Sequence, residues 1–565
     1  MPGSKFTSVA SSLRHWAEAR PNDLALLFLT DGGESGRLTF AQLDDRSQRI
    51  GSRMIRAGLS GQRVLLPVVS EEAFVSALCG CLYAGVVAVP CPFRLRNRGQ
   101  DRVRSIAADA GIAAVVAGSE AEIARLMAAI PGVPSFALDG WEAEPKARPA
   151  ECDPQQMALL QYTSGSTSAP KGVIISHRNL FANTAMLGEA FGVHAGSRML
   201  TWLPLFHDMG LLGNVVPALC WGIPCVVMPP LSFLQRPRRW LESIARYRIT
   251  ISGGPNFAYE LCVRRLQGDA GDRLDLSSWE LAFCGAEPVR PSTMQRFAEA
   301  FAETGFRSGA LYPCYGLAEA TVFVSGGGAG DGVKVLPPEA PGAREPVSCG
   351  RAPEAAPIAI VDPDSNEPMA DGQEGEVWVQ GDHVASGYWN NPVATAATFA
   401  ATSPHLPGVF LRTGDLGRRW QGDLYITGRR KNLIIHRGIN LHPEDIEASI
   451  GACHPGFGPM GAAFSIEAND EEQVVAVYEV SSNALNEQAS RSMIDKALDS
   501  VAQEHAVRLF DLVLVRAGTM PRTTSGKVQR DRCRSLYMSG QLARVAPAAR
   551  HPSLGIHQDP YGRAR

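Results

Sequence analysis

Several features that would place a chain outside the ordinary globular classes are missing here. No apolar run continues for the length a membrane helix needs. The best candidate, Ala73 to Phe93, is interrupted by Gly80, Gly85, Pro90 and Pro92, and its second part is β-branched, which predicts a buried helix followed by a core strand. The 12 cysteines include no CxxC pair and no Cys/His array at zinc spacing, so reduced, buried thiols and a cytoplasmic location are expected. The N-terminal stretch MPGSKFTSVASSLRHWAEARPND has no apolar core and reads as a short amphipathic helix, so no export signal is expected. Excess charge is also missing: a net charge of -3 over 565 residues gives no reason to expect nucleic-acid binding. Nor does any GK[ST] open a helix after a glycine-rich turn, which removes the Walker type of phosphate loop.

What is present is the composition of a protein with large cores. The chain is 45% hydrophobic and 20% charged, and at this length it divides into at least two domains. Helix-like stretches (Phe40 to Ala57, Ala73 to Ala84) alternate with apolar strands (Arg63 to Val69, Val86 to Pro90, Ala113 to Val116). That is the rhythm of layered α/β structure with a largely parallel sheet. It continues through Met199 to Leu205, Thr250 to Gly253 and Glu280 to Gly285. Gly326 to Pro346 is rich in Gly and Pro and reads as a loop, and short alternating strands after it, Ile358 to Val361 and Gly375 to Gln380, suggest an antiparallel module. Strands and helices beyond Asn432 suit a small α+β domain.

Within that frame, Tyr162 to Val173 (YTSGSTSAPKGV) sets the hydroxyls of Thr163, Ser164, Ser166 and Thr167, Gly165 and Lys171 between two apolar runs. Such a loop is either a polar hairpin or a cradle of N–H groups, hydroxyls and one ammonium for phosphate oxygens. His207 and Asp208 fall at a strand-to-helix turn, where parallel sheets display functional groups, although a histidine there can equally cap the helix. Gly285 and Ala286 carry almost no side chain, so a flat ring can lie on their backbone. Tyr315 and Glu319 follow a strand; they suit a base-stacking ring and a metal-binding acid, or a capped turn with a surface glutamate. Asp415, between glycines, offers a carboxylate that matches a cis-diol. Arg429, Arg430 and Lys431 form a basic knot at a domain boundary, and MPRTTSGKVQR presents Lys527 on a Gly-containing loop.

The ordered set YTSGSTSAPKG, FHDMGLLG, YGLAEAT, TGDLG, GRRKNLIIHRGINLHPEDIE and PRTTSGK resembles the adenylate-forming superfamily of acyl-CoA synthetases, peptide-synthetase adenylation domains and luciferases, over nearly the whole chain. FHDMGLLG, Ala318 where most relatives have Thr, and RGxNxxPEDIE most resemble its fatty acyl-AMP ligase branch. The resemblance implies a large N-terminal domain (1–430) and a small mobile C-terminal domain (431–542); residues 543–565, rich in Ala, Pro and Arg, read as a disordered tail. It implies fatty-acid activation by ATP with Mg²⁺, then transfer to an acyl carrier protein, with coenzyme A open as an alternative acceptor. Residue by residue, Thr163 to Thr167 and Lys171 would hold the β- and γ-phosphates. Gly285, Ala286, Glu287, Tyr315 and Gly316 would frame the adenine, and Asp415 and Arg429 the ribose. Glu319 would ligate Mg²⁺, Lys431 would be the hinge, and Lys527 would bridge carboxylate and α-phosphate beside His207.

Three departures from the branch pattern stand out: a short Gly326 to Cys349 where an insertion is usual, Ile439 where many relatives have Arg, and Asn432 where many have Asp. Around Lys527, the arginines Arg516, Arg522, Arg530, Arg532 and Arg534 face only Asp531 in sequence, which predicts a basic patch for an acidic carrier protein. Two other functions fit parts of the pattern. An inert adenylate-binding scaffold would keep the fold, but Lys527 and Glu319 are both retained. An amino-acid adenylating domain would want an acid near the substrate amine, and Trp221 to Met228 offers none.

Overall fold

In a computed structural model, residues 6 and 8–545 are described, apart from 93–96, 128, 149, 151, 164–169, 267–273, 337–344, 437–438, 469–470, 482–486, 506 and 524–525. The first part carries a six-stranded sheet in the order Ser135–Ala137, Ala114–Ala117, Arg63–Val68, Val87–Pro92, Met157–Tyr162, Gly172–Ser176. All its pairs are parallel except the last, an antiparallel hairpin. An eight-stranded sheet follows the order Ser325–Gly326, Leu311–Tyr315, Leu281–Cys284, Ile251–Gly254, Met199–Thr201, Cys225–Val227, Leu24–Thr30, Gly33–Thr39. Its interior is parallel and its two edge pairs are antiparallel. An antiparallel sheet built on Gly375–Val379 and Leu406–Trp420 comes next. A small unit closes the chain, with Phe457–Ala468, Glu471–Val480 and Asp511–Arg516 as its sheet. Its core around Ile446, Ala476, Ala497 and Leu512 is separate from that of the large part.

Local sequence accounts for the elements that place the site. Helix Phe40–Arg56 starts with a capping box between Thr39 and Gln42 and ends on Arg53 and Arg56, which satisfies its first amides and complements its dipole. It packs on Glu71–Ala84, whose residues from Phe74 onward are all buried. Gly80, which breaks the apolar run in sequence, does not break this helix. It lets the two helices approach: a Cβ there would collide with the Ile50 side chain. Gly85, with φ of +64°, stops the helix and sends the chain into Val87–Pro92. Among the described residues no helix is long and apolar enough to cross a membrane.

Tertiary pairing departs from the sequence reading in four places. Leu24–Thr30 and Gly33–Thr39 join the eight-stranded sheet, although the chain around them builds the other one. The strand expected from Met199 to Leu205 ends at Thr201, because the Thr201 hydroxyl accepts the Leu203 N–H at 3.2 Å and turns the chain toward Pro204. Helix Arg530–Met538 carries no apolar stripe long enough to announce it. Residues expected at the start of the tail are packed: Arg544 pairs with buried Asp511 at 2.6 Å and Val545 N–H donates to the Leu514 carbonyl. Residues 546–565 lie outside the described residues.

Candidate active site

The hydroxyl loop begins where Met157–Tyr162 ends and finishes where Gly172–Ser176 begins. Thr163 N–H donates to the Lys171 carbonyl at 3.1 Å and closes its neck. Ser164, Gly165, Ser166 and Thr167 lie outside the described residues. Lys171 Nζ stands 4.7 Å from the centre of the Tyr388 ring, and Tyr388 Oη donates to Glu319 Oε1 at 2.7 Å. These three residues line a cavity of about 480 Å³, together with Arg412, Thr413, Arg430 and Lys431.

Neighbouring C-terminal strand ends of the eight-stranded sheet supply the next residues, as parallel sheets do. After Leu281–Cys284, Ala286 adopts a left-handed φ of +67°, a conformation that costs a residue with a Cβ about 1 kcal/mol or more. Glu287 follows, and its Oε1 accepts the Phe257 N–H at 2.6 Å; burial pushes its carboxyl up. After Leu311–Tyr315, Gly316 packs so closely on the Val322 carbonyl that a Cβ has no room. Tyr315 Oη donates to Asp415 Oδ2 at 2.7 Å, and Arg429 Nε stands 2.8 Å from Asp415 Oδ1. Both oxygens of Asp415 therefore have protein donors, yet each keeps a lone pair for a further hydroxyl. Asp415 raises the Arg429 guanidinium further against burial.

His207 and Asp208 sit at the start of the short helix Asp208–Gly210. His207 caps nothing with its side chain, so the capping alternative is set aside. Burial, then the charges of Lys527 and Arg102, push its imidazole down to about 3, which leaves it neutral at physiological pH. Burial raises the Asp208 carboxyl, against the pull of Lys527.

Lys527 arrives from the small unit. Its turn is held by Thr523 N–H on the Lys527 carbonyl at 2.7 Å, by Lys527 N–H on Thr523 Oγ1 at 3.1 Å and by Gly526 at φ of +90°. A Cβ on Gly526 would stand 3.9 Å from Phe257 Cε1 of the large part. The ammonium is held down by loss of hydration, then by Arg429, while Asp208, Glu287 and Asp415 act in the opposite direction. It nevertheless keeps a solvent-facing surface, so the site is a water-filled cleft walled by both units. Lys431 sits where the chain passes between them, 3.9 Å from Asp531 Oδ2, and burial depresses its pKa.

The basic patch read from sequence is smaller than expected. Arg530 is mostly buried between Glu444 and Glu447, at 2.8 and 2.9 Å, and Arg522 pairs with buried Glu479 at 2.9 Å. These two guanidiniums neutralise internal acids, Arg522 while itself exposed, and Arg516, Arg532 and Arg534 are exposed with no acid at ion-pair distance among the described residues. Sequence reasoning missed Tyr388, Phe257 and Arg102 as site residues. Their local sequence gives no sign of the site: only packing brings Arg102 to the Thr163 carbonyl and Tyr388 to Lys171.

A lysine brought by one unit toward acids of another is an arrangement that lets a protein join two anions, and with the family matches it makes this an adenylate-forming enzyme. The chain belongs to the AMP-binding enzyme family, whose profile matches residues 13–389, while a Disco-interacting protein 2-like AMP domain profile matches 431–546. It is 37% identical to the medium-chain-fatty-acid acyl-carrier-protein ligase JamA of Moorena producens, covering 96% of this chain and 97% of that one. It is 33% identical to the corresponding ligase TtuA of Teredinibacter turnerae, over 92% and 91% of the two chains. The crystal structure of a fatty acid AMP ligase from Legionella pneumophila superposes with a TM-score of 0.74 at 36% identity, over 97% and 98%.

Proposed function

We propose that this enzyme activates a fatty acid with ATP to acyl-AMP, releasing pyrophosphate, and then passes the acyl group to the phosphopantetheine thiol of an acyl carrier protein. The observation that carries the reading is that the ammonium of Lys527, on the small unit, lies within the electrostatic reach of Asp208, Glu287, Asp415 and Arg429 of the large one, on a turn that approaches Phe257 of that unit. A fatty carboxylate, with a pKa of about 4 to 5 like Glu, is ionised at neutral pH and needs no general base. Its oxygen bonds to the α-phosphorus as the bond to pyrophosphate breaks, and charge builds on the phosphorus oxygens. A fixed cation stabilises that charge more than it stabilises the separated anions. In the second step a thiolate bonds to the acyl carbon, AMP leaves with the bonding pair, and the thiol proton goes to solvent.

The remaining residues take the roles that the family resemblance gives them. Thr163 to Thr167 and Lys171 hold the β- and γ-phosphates. Gly285, Ala286, Glu287, Tyr315 and Gly316 frame the adenine, Asp415 and Arg429 take the ribose, and His207 marks the mouth of the acyl pocket. Glu319 fits a Mg²⁺ ligand: Tyr388 engages Oε1, and no hydrogen bond occupies Oε2 among the described residues. Those residues contain no cluster of three or more His, Cys, Asp or Glu that could hold a metal alone. That donor set suits an ion bound by one carboxylate, water and substrate phosphates. Bound there, Mg²⁺ neutralises phosphate charge.

Lys431 is the hinge between a large domain (1–430) and a small one, so that Lys527 leaves the cleft when the carrier's arm enters. Carrier docking then falls to Arg516, Arg532 and Arg534. The carrier is favoured over coenzyme A because the acceptor named for JamA and TtuA is a carrier protein. A cytoplasmic location agrees with 12 free cysteines. The deciding experiment supplies ATP and fatty acids of several chain lengths, with holo carrier protein and coenzyme A in parallel. Pyrophosphate release and acyl transfer to the carrier are expected; no release with any fatty acid would refute the activation step, and transfer to coenzyme A alone would refute the acceptor.

A further inference from the structure

Arg102, on helix Asn97–Ala110, is a half-buried cation. Other guanidiniums drawn out of water are neutralised: Arg412 by Glu376, Arg530 by Glu444 and Glu447, and Arg544 by Asp511. Arg102 has no carboxylate at ion-pair distance among the described residues. Its Nη2 donates to the Thr163 carbonyl at 3.2 Å, and its Nε is buried with no partner. A guanidinium partly withdrawn from water is stabilised by a matching anion, and one carbonyl at the neck of the hydroxyl loop does not supply one. Its field reaches the His207 ring, where that of Lys527 also arrives. Both cations thus act on the turn that the proposed function places beside the reacting groups.

We propose that Arg102 binds a substrate oxyanion at the reaction centre, using its unpaired edge while Nη2 keeps hold of Thr163. The planar fork of a guanidinium matches two oxygens of a carboxylate or a phosphate, so the ligand is either the carboxylate of the acid or a phosphate of the nucleotide. This assignment rests on the function proposed above and can fail without it. The neighbouring cations divide the work: Lys527 is delivered by the small domain and withdrawn with it, whereas Arg102 is fixed in the large domain and is in place before Lys527 arrives.

The test measures binding directly, by titration calorimetry of lauric acid and, separately, of inorganic pyrophosphate and ATP, on the full-length wild type, Arg102→Met and Arg102→Lys. Activity is followed alongside as KM and kcat for each substrate. Arg102→Met is expected to weaken either the fatty acid or the phosphate ligands tenfold or more, leave the other within about twofold, and melt close to wild type. A shift for the acid alone assigns the carboxylate, and a shift for pyrophosphate and ATP alone assigns a phosphate. If both ligand types bind as in wild type, or if both weaken together with a lower melting temperature, Arg102 only props up the loop and the proposal is overturned. Should Arg102→Met not fold, Arg102→Lys decides, because it keeps the charge and loses the fork: unchanged affinity for both ligands overturns the proposal. A wild type that binds neither ligand overturns the proposed function and this assignment with it, whereas wild-type binding that Arg102→Met leaves unchanged overturns this assignment alone.

Discussion

Tyr388 Oη donates to Glu319 Oε1 at 2.7 Å, which fixes the orientation of the carboxylate proposed to meet Mg²⁺. Outer partners of a metal ligand typically control about 10- to 100-fold in affinity. Glu319→Gln is therefore expected to raise the Mg²⁺ concentration for half-maximal pyrophosphate release by about 10-fold or more, and Tyr388→Phe by a smaller factor in the same direction. A Mg²⁺ titration of both variants checks this; unchanged midpoints would remove Glu319 from the metal site.

Removing the cation of Lys527 should separate the two half-reactions. Lys527→Ala is expected to slow adenylate formation about 10²- to 10³-fold, the usual cost of losing one preorganised donor at a developing oxyanion. Transfer from supplied acyl-AMP to carrier protein should stay near wild type. Because burial and Arg429 lower the Lys527 pKa from its usual 10.5, the ammonium is lost earlier as pH rises. The alkaline limb of kcat/KM for adenylation should fall below 10.5, and it should be absent from the residual activity of Lys527→Ala.

Two buried histidines set an acid limit on stability. Burial depresses His177 and His383 from 6.5 to about 4. The unfolded chain thus takes up protons near pH 6.5 that the native state refuses until about pH 4. The stabilisation is complete above 6.5 and is lost as pH falls between those values. Each can account for up to about 3 kcal/mol. Urea unfolding at pH 7.5 and pH 5 should show the loss, and His383→Gln should reduce the difference.

The arginines of the small unit should behave in two distinct ways. Arg530→Met leaves Glu444 and Glu447 buried without their partner and should destabilise the small unit by about 3–5 kcal/mol. Arg532→Glu with Arg534→Glu, both exposed, should leave melting unchanged and slow acylation of carrier protein at low salt. Thermal unfolding and carrier acylation at two salt concentrations distinguish them.

Much of this architecture was legible before any coordinates. Gly85 stops a helix, Thr39 and Gln42 start one, and the apolar runs at Arg63, Val87 and Leu281 become buried parallel strands, because capping, turn and burial preferences act over a few residues. The pairing of Leu24–Thr30 with Cys225–Val227 was not legible, since strand partners nearly two hundred residues apart are chosen by which edge is left open. The site divides in the same way. Lys527, Glu319 and Asp415 are prominent in local motifs. Arg102 and Tyr388 are ordinary residues until the fold sets them at the neck of the loop and against Glu319.

By itself, then, the sequence determined the layered α/β class, the small final unit, and a lysine and acids disposed for nucleotide chemistry, because each depends on side-chain type and short-range spacing. Tertiary structure alone decided which charges remain available. Arg530 and Arg522 are absorbed by internal carboxylates, Arg102 is half-buried with none at ion-pair distance among the described residues, and Lys527 lies within the field of acids from another unit. The energy of a charge depends on burial and on neighbours within a few ångströms, and those are properties of the folded chain.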